Sequence, residues 1–161
     1  MVEHDSALPG ALGAPAHLHI GAPSVLARRL GYAGLLPLAG LAAALWLVRA
    51  DMQVFLAAAL VGYSALIASF LGGVHWGIAA QLPQRNAGFH YAWGVVPSLL
   101  AWVAMLLPTH AGLLLMGLVL VVCYGVDRVS YPRIGWAPWL PLRLQLSVVA
   151  VLSCLLGAAK A

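Results

Sequence analysis

The sequence predicts an all-α integral membrane protein: a bundle of five transmembrane helices, with the N-terminus cytoplasmic and the C-terminus periplasmic. Three observations predict it. Of 161 residues, 63% are hydrophobic and 7% charged, and the mean hydropathy of +0.97 lies well outside soluble usage. The charged residues are spaced as boundaries, since residues 30–48, 52–84, 86–126 and 144–159 contain no Asp, Glu, Lys or Arg. A hydrocarbon core of roughly 30 Å needs about 20 apolar helical residues. Finally, the arginines are distributed unevenly between alternate loops, which sets the orientation.

The first 27 residues are rich in Ala, Gly, Pro and His without apolar periodicity. Such a segment has little to bury, so residues 1–27 are expected to be a disordered tail. It opens with Glu3 and Asp5 rather than a basic region and has no short apolar core, so it does not read as a secretory signal. His17 and His19 form a His-x-His pair, but two ligands on a loose tail do not make a metal site. No metal and no cofactor are expected.

Residues 28–161 form the membrane domain, with helices at about 32–48, 54–81, 90–107, 111–126 and 142–159. The interval 86–126 would stand roughly 60 Å tall as one helix at about 1.5 Å per residue, about twice the membrane thickness. It must therefore fold back on itself, and Pro108-Thr109-His110 supplies the break. A four-span alternative would lay the first or last segment in the interface. Pro37 in the first helix and Pro97 in the third each remove an intrahelical hydrogen bond and are expected to kink their helices. In the second helix Ala65, Ser69, Gly73 and Gly77 recur every four residues and form a stripe suited to close packing against a neighbour.

With five spans, Arg28, Arg29, Arg85, Arg128, Arg133 and Arg143 share one side of the membrane, and the other side holds only Arg49 and Lys160. Positively charged loops stay in the cytoplasm, which places the N-terminus inside. Tryptophans and tyrosines near the expected helix ends suit an aromatic belt.

His75 and Trp76 interrupt the uncharged second span. An ionisable group at that depth carries a solvation cost and marks a candidate site. The topology puts His75 about six residues, or ~9 Å, from the inner end of its helix, on a face with Ser64, Ala68 and Leu71 and off the small-residue stripe. Together with Trp76, Arg85, Asp127, Arg128 and Arg143 it forms a candidate functional cluster near the inner face, in which Asp127 pairs with Arg85 or Arg143. His90 is placed at the inner surface and His75 below it. A bare packing role, with His75 bonded to a backbone carbonyl or a serine, remains the alternative.

The blocks Gly31-Tyr-Ala-Gly-Leu-Leu-Pro37, Ser69-Phe-Leu-Gly-Gly-Val-His-Trp-Gly77, Val96-Pro-Ser-Leu-Leu-Ala-Trp102, Val126-Asp-Arg128, Ala137-Pro-Trp139 and Leu142-Arg-Leu144 resemble a small five-span membrane family of unknown function, domain of unknown function 3429, which includes mitochondrial transmembrane protein 69. The resemblance covers about residues 30–157, and His75 and Trp76 match the family's histidine and tryptophan. It implies a bacterial inner-membrane or mitochondrial setting and no activity.

No His-Glu-x-x-His zinc helix, Gly-x-Ser-x-Gly elbow or phosphate loop is present, so an enzyme is not expected and no residue is assigned as catalytic. The reading is a non-enzymatic structural, accessory or assembly protein in contact with the lipid bilayer and with another membrane protein or a second copy of itself. Two alternatives stay open: a transporter or proton conductor using His75 as a titratable relay, and a redox subunit binding haem or quinone. The basic residues are too scattered for a nucleic-acid surface.

Overall fold

The computed structural model describes residues 21–161, with backbone alone for residues 84–86. The expected tail and the His17-His19 pair lie outside the described residues up to residue 20. The described residues form six α-helices: α1 (Val25–Ala33), α2 (Leu35–Leu47), α3 (Ala50–Gln81), α4 (Gln84–Leu106), α5 (Thr109–Ser130) and α6 (Leu140–Ala158). Two 3₁₀ turns, Pro132–Ile134 and Ala137–Trp139, join α5 to α6. Helices α1 and α2 together make one span, so five helical segments are long and apolar enough to cross a membrane. The chain is a multi-pass membrane protein.

The first span begins at Val25, inside the expected tail and seven residues before Tyr32. Ser24 caps it, its Oγ accepting the Ala27 N–H at 3.1 Å, which satisfies one of the orphan donors at the helix start. Arg28 and Arg29 therefore lie within the helix rather than before it; both are exposed, and long basic side chains at a helix end carry their charge out to the interface. The span divides at Gly34, three residues before Pro37. Proline cannot donate to the carbonyl four residues back and crowds that turn. The Tyr63 hydroxyl of α3 donates to the Gly34 carbonyl at 2.9 Å and ties the division to the bundle. Helix α4, by contrast, runs unbroken through Pro97.

Helix α3 is the longest and packs against α2, α4, α5 and α6. The buried core is apolar and gathered around it, with Leu38, Leu45, Leu60, Leu113, Met116 and Leu120 almost fully enclosed. Large side chains such as Leu36, Phe55, Phe70, Trp102 and Leu118 are exposed, as suits an outer surface facing lipid tails.

The expected packing stripe is corrected by the structure beyond Ala65, which is buried in the core. Gly73 and Gly77 are exposed, and a Cβ at either would meet nothing within 4 Å. The packed face of α3 is the one that holds Ser64, Ala68, Leu71, Gly72 and His75, all buried. There α3 and α4 approach so closely that a Cβ on Gly72 would sit 2.2 Å from the Gly94 carbonyl oxygen. A Cβ on Gly94 would in turn meet the Trp76 ring at 2.2 Å. In lipid there is little hydrophobic gain from joining helices, so close van der Waals approach through small residues is what holds this pair together. At the other end of the bundle, His110 Nδ1 donates to the Ala158 carbonyl at 2.8 Å and Trp46 Nε1 to the Leu156 carbonyl at 3.3 Å.

The two adjacent glycines should therefore respond differently. Gly72→Ala is expected to destabilise the folded bundle by about 1–3 kcal/mol, as overpacking does, because the atom in its way is backbone. Gly73→Ala should be nearly silent, and thermal unfolding of the two variants in one detergent compares them directly.

Candidate functional site: a buried four-helix polar cluster

Each of the four helices α3 to α6 sends one polar side chain to a common point. His75 Nε2 lies 3.0 Å from Asp127 Oδ1, and His75 Nδ1 lies 2.9 Å from His90 Nδ1. Arg143 closes the other side of the carboxylate, Nε donating to Asp127 Oδ2 at 2.8 Å and Nη2 to the same oxygen. His75 is 1% exposed, Asp127 2%, His90 6% and Arg143 9%. The two imidazoles stack with centroids 5.1 Å apart, Trp93 meets His75 edge-on, and the buried Tyr131 ring stands 6.4 Å away.

The local sequence produces this convergence through two tight reversals. Pro83, which precedes α4, lies at nearly equal distance in sequence from His75 and His90. An antiparallel helix pair brings such residues level, as it does Gly72 with Gly94. Gly135, with φ of 81°, adopts the left-handed conformation that glycine takes without strain. It is equidistant in sequence from Asp127 and Arg143. The Trp136 N–H returns to the Tyr131 carbonyl at 2.8 Å across this corner, where Tyr131, Trp136 and Trp139 pack successively on one another.

The electrostatics follow from the pairing. A lone carboxylate in a hydrocarbon setting is costly, and one that is paired and hydrogen-bonded is tolerated. Asp127 meets a guanidinium on one oxygen and an imidazole N–H on the other. Counting protons fixes the neutral state of the histidines. Against an ionised carboxylate His75 must donate from Nε2, so its Nδ1 is bare and accepts; His90 must then carry its proton on Nδ1, leaving its Nε2 bare. With both histidines neutral, the whole cluster carries no net charge. Among the described residues no buried side-chain nitrogen or oxygen lacks a hydrogen-bond partner. His90 Nε2 has no such partner among them, and His90 keeps 6% of its surface exposed.

Of the sequence-predicted cluster, the structure brings together His75, Asp127 and Arg143. Trp76 stands outside it, half-exposed, with Nε1 donating to the Tyr91 carbonyl at 3.1 Å and its ring edge-on to Tyr91. Arg128 is exposed: it follows Asp127 in the chain, and consecutive helical residues point about 100° apart, so the one cannot share the other's pocket. Arg85 lies in the first turn of α4, and its side chain is outside the described residues. Sequence reasoning left His90 out because it placed the residue at the membrane surface. Helix α4 starts at Gln84 rather than His90, so His90 is carried nearly two turns inside and level with His75; the matched spacing about Pro83 was the signal that could have found it. Similarly α5 runs on to Ser130, past the expected end at residue 126, because Asp127 turns inward onto Arg143 and so does not have to leave the helix to be solvated. Among the described residues no group of three or more His, Cys, Asp or Glu is arranged to hold a metal ion. Cys123 and Cys154 are free and buried, and Cys154 Sγ lies 3.3 Å from Ser64 Oγ.

Comparison with known proteins gives a consistent picture. A family model described as a protein of unknown function, DUF3429, matches residues 24–159. Transmembrane protein 69 of Xenopus tropicalis is 38% identical over 131 residues, covering 77% of this chain and 50% of that protein; the chain thus spans about half the length of that relative. No solved structure matches the chain.

The two arginines at this end should differ sharply. Arg143→Ala leaves Asp127 as an uncompensated buried charge and is expected to cost about 3–5 kcal/mol of stability. Arg128→Ala should stay within about 0.5 kcal/mol of the parent, as chemical denaturation in detergent would show.

Proposed function

The chain belongs to the DUF3429 family, whose function is unknown, and from that premise we propose that it is a non-enzymatic structural or assembly factor whose buried polar cluster locks one end of the bundle into a fixed docking face. The observation that supports this most directly is the closure of the cluster: one side chain from each of four helices, with both carboxylate oxygens of Asp127 consumed by its neighbours. Any chemistry at Asp127 would first have to break the contacts that hold α5 and α6 together.

Around the lock, aromatic and basic groups face outward at the same end of the bundle. Trp76, Phe89 and Tyr91 are exposed, as are Arg128 and Arg133. A rigid rim of this composition suits another membrane protein or a second copy of the chain, since aromatic residues and arginine carry much of the energy at protein interfaces. The arginine bias supports a cytoplasmic position for this end, in a bacterial inner membrane or on the equivalent side of a mitochondrial one.

A second reading is favoured by one observation. His90, His75 and Asp127 form a continuous hydrogen-bonded run from the surface into the bundle, the kind of chain along which a proton relay is built. In this reading the protein conducts protons, with His75 as the relay.

His75→Ala separates the two. The lock predicts a lower thermal midpoint, reduced abundance in the membrane and loss of partners that co-purify with the parent, while proton flux in liposomes stays at background for both proteins. Unchanged midpoint, abundance and partners would discard the lock. Parent flux above background that vanishes in the variant would replace it with the relay.

A further inference from the structure

A groove of about 580 Å³ runs between α4 and α5, and His90, Val121, Val122, Gly125, Ser130 and Arg133 are among its lining residues. Its volume is in the range of small-ligand sites. The groove is apolar along most of its length and polar where His90, Ser130 and Arg133 line it. Within it the Ser130 hydroxyl donates to the Val126 carbonyl at 2.7 Å, leaving Arg133, which is exposed, and His90 Nε2, which has no hydrogen-bond partner among the described residues, as the groups able to meet a ligand. No carboxylate is among the lining residues. Asp127 is turned to the opposite side of α5 and taken by Arg143 and His75.

We infer that this groove binds an anionic phospholipid of the adjacent leaflet, its phosphate held between Arg133 and His90 and one acyl chain lying along Val121, Val122 and Gly125, and that binding draws one proton into the His75–His90 pair. Charge complementarity selects the ligand. Basic pockets between membrane helices take anionic headgroups, and an elongated apolar floor beside a single cationic mouth matches an acyl chain below a phosphate.

The proton requirement follows from the hydrogen-bond count. In the neutral pair His90 Nε2 is a bare acceptor, and a phosphate oxygen offers it only lone pairs. For Nε2 to donate to the phosphate while Nδ1 stays bonded to His75, and while His75 keeps donating to Asp127, the two rings need three N–H protons instead of two. The added proton comes from solvent at the interface, and the resulting imidazolium is balanced by the phosphate. The charged groups around the pair are Asp127 and Arg143 from α5 and α6 and Arg133 at the groove, with Arg128 exposed on α5; Arg85 is on α4 with its side chain undescribed. The cluster would thus report headgroup charge to the centre of the lock. The inference does not depend on the docking role.

The test uses the full chain in bilayers of phosphatidylcholine, with spin-labelled phosphatidylglycerol, phosphatidylcholine or stearate as probes and the protein-immobilised fraction read by electron paramagnetic resonance. Phosphatidylglycerol should be retained in excess over phosphatidylcholine. Arg133→Ala should reduce that excess about fivefold, the worth of one basic residue at a membrane surface. Gly125→Leu should abolish it by filling the groove; a Cβ there meets nothing within 4 Å, so the fold and the lock are left intact. In ¹⁵N-histidine spectra at fixed neutral pH, His90 Nε2 should be unprotonated in phosphatidylcholine and protonated in phosphatidylglycerol. Equal retention of both phospholipids, or an excess that survives both substitutions, overturns the site. Preference for stearate alone overturns the phospholipid assignment, and binding without protonation of Nε2 overturns the coupling. A loss of thermal stability on His75→Ala bears only on the lock, so the two ideas can fail separately.

Discussion

The ion pair between Asp127 and Arg143 is the interaction on which the rest of this end of the protein depends. A carboxylate at 2% exposure inside an apolar bundle is tolerable only if its charge is cancelled at contact distance and its lone pairs are used. That demand dictates where α6 must lie against α5, since Arg143 has to reach Asp127 from the next helix. It also dictates the tautomer of His75, because the second carboxylate oxygen needs a donor. Through His75 the demand reaches His90, and so all four helices α3 to α6 are positioned by one negative charge.

Geometry and packing reinforce that arrangement. The α3–α4 hairpin turns at Leu82–Pro83 and the α5–α6 connection turns at Gly135, and both turns are at the same end as the polar cluster. Gly72 and Gly94 let α3 and α4 touch backbone to backbone one turn above the histidines. The close approach and the Nδ1 to Nδ1 hydrogen bond are therefore two consequences of one antiparallel register. A bulkier residue at Gly72 would separate the rings as well as the helices.

Much of the architecture was legible in the chain. The spacing of charged residues marked the membrane spans, and the overlong interval 86–126 required the break found at Pro108. His75 stood out because ionisable groups are rare inside such spans, and Asp127 and Arg143 because the five-span topology gathers the charges around the fourth loop at the same end of the bundle. What misled was the use of charge as a boundary. Arg28, Arg29, Arg85, Asp127 and Arg128 all lie within helices, the arginines near their ends and Asp127 turned inward, so helices α1, α4 and α5 run past the boundaries of the uncharged intervals. The choice of packing face failed for a different reason. A stripe of small residues every four positions marks a possible contact, but Gly72, outside that stripe, was selected because its partner Gly94 faces it at the same level.

The sequence by itself determined the class, the number of spans and the identity of most polar residues in the cluster, because apolar length and the cost of burying charge are properties of composition and local order. Only the tertiary structure decided which faces meet, that Arg143 rather than Arg128 takes Asp127, and that His90 completes the chain. Helices α3 and α4 are apolar nearly all round, so no amphipathic face tells in advance which side turns inward. The rotation of each helix is settled by contacts between residues far apart in the sequence: a backbone carbonyl against a glycine, and a single carboxylate that must find its cation.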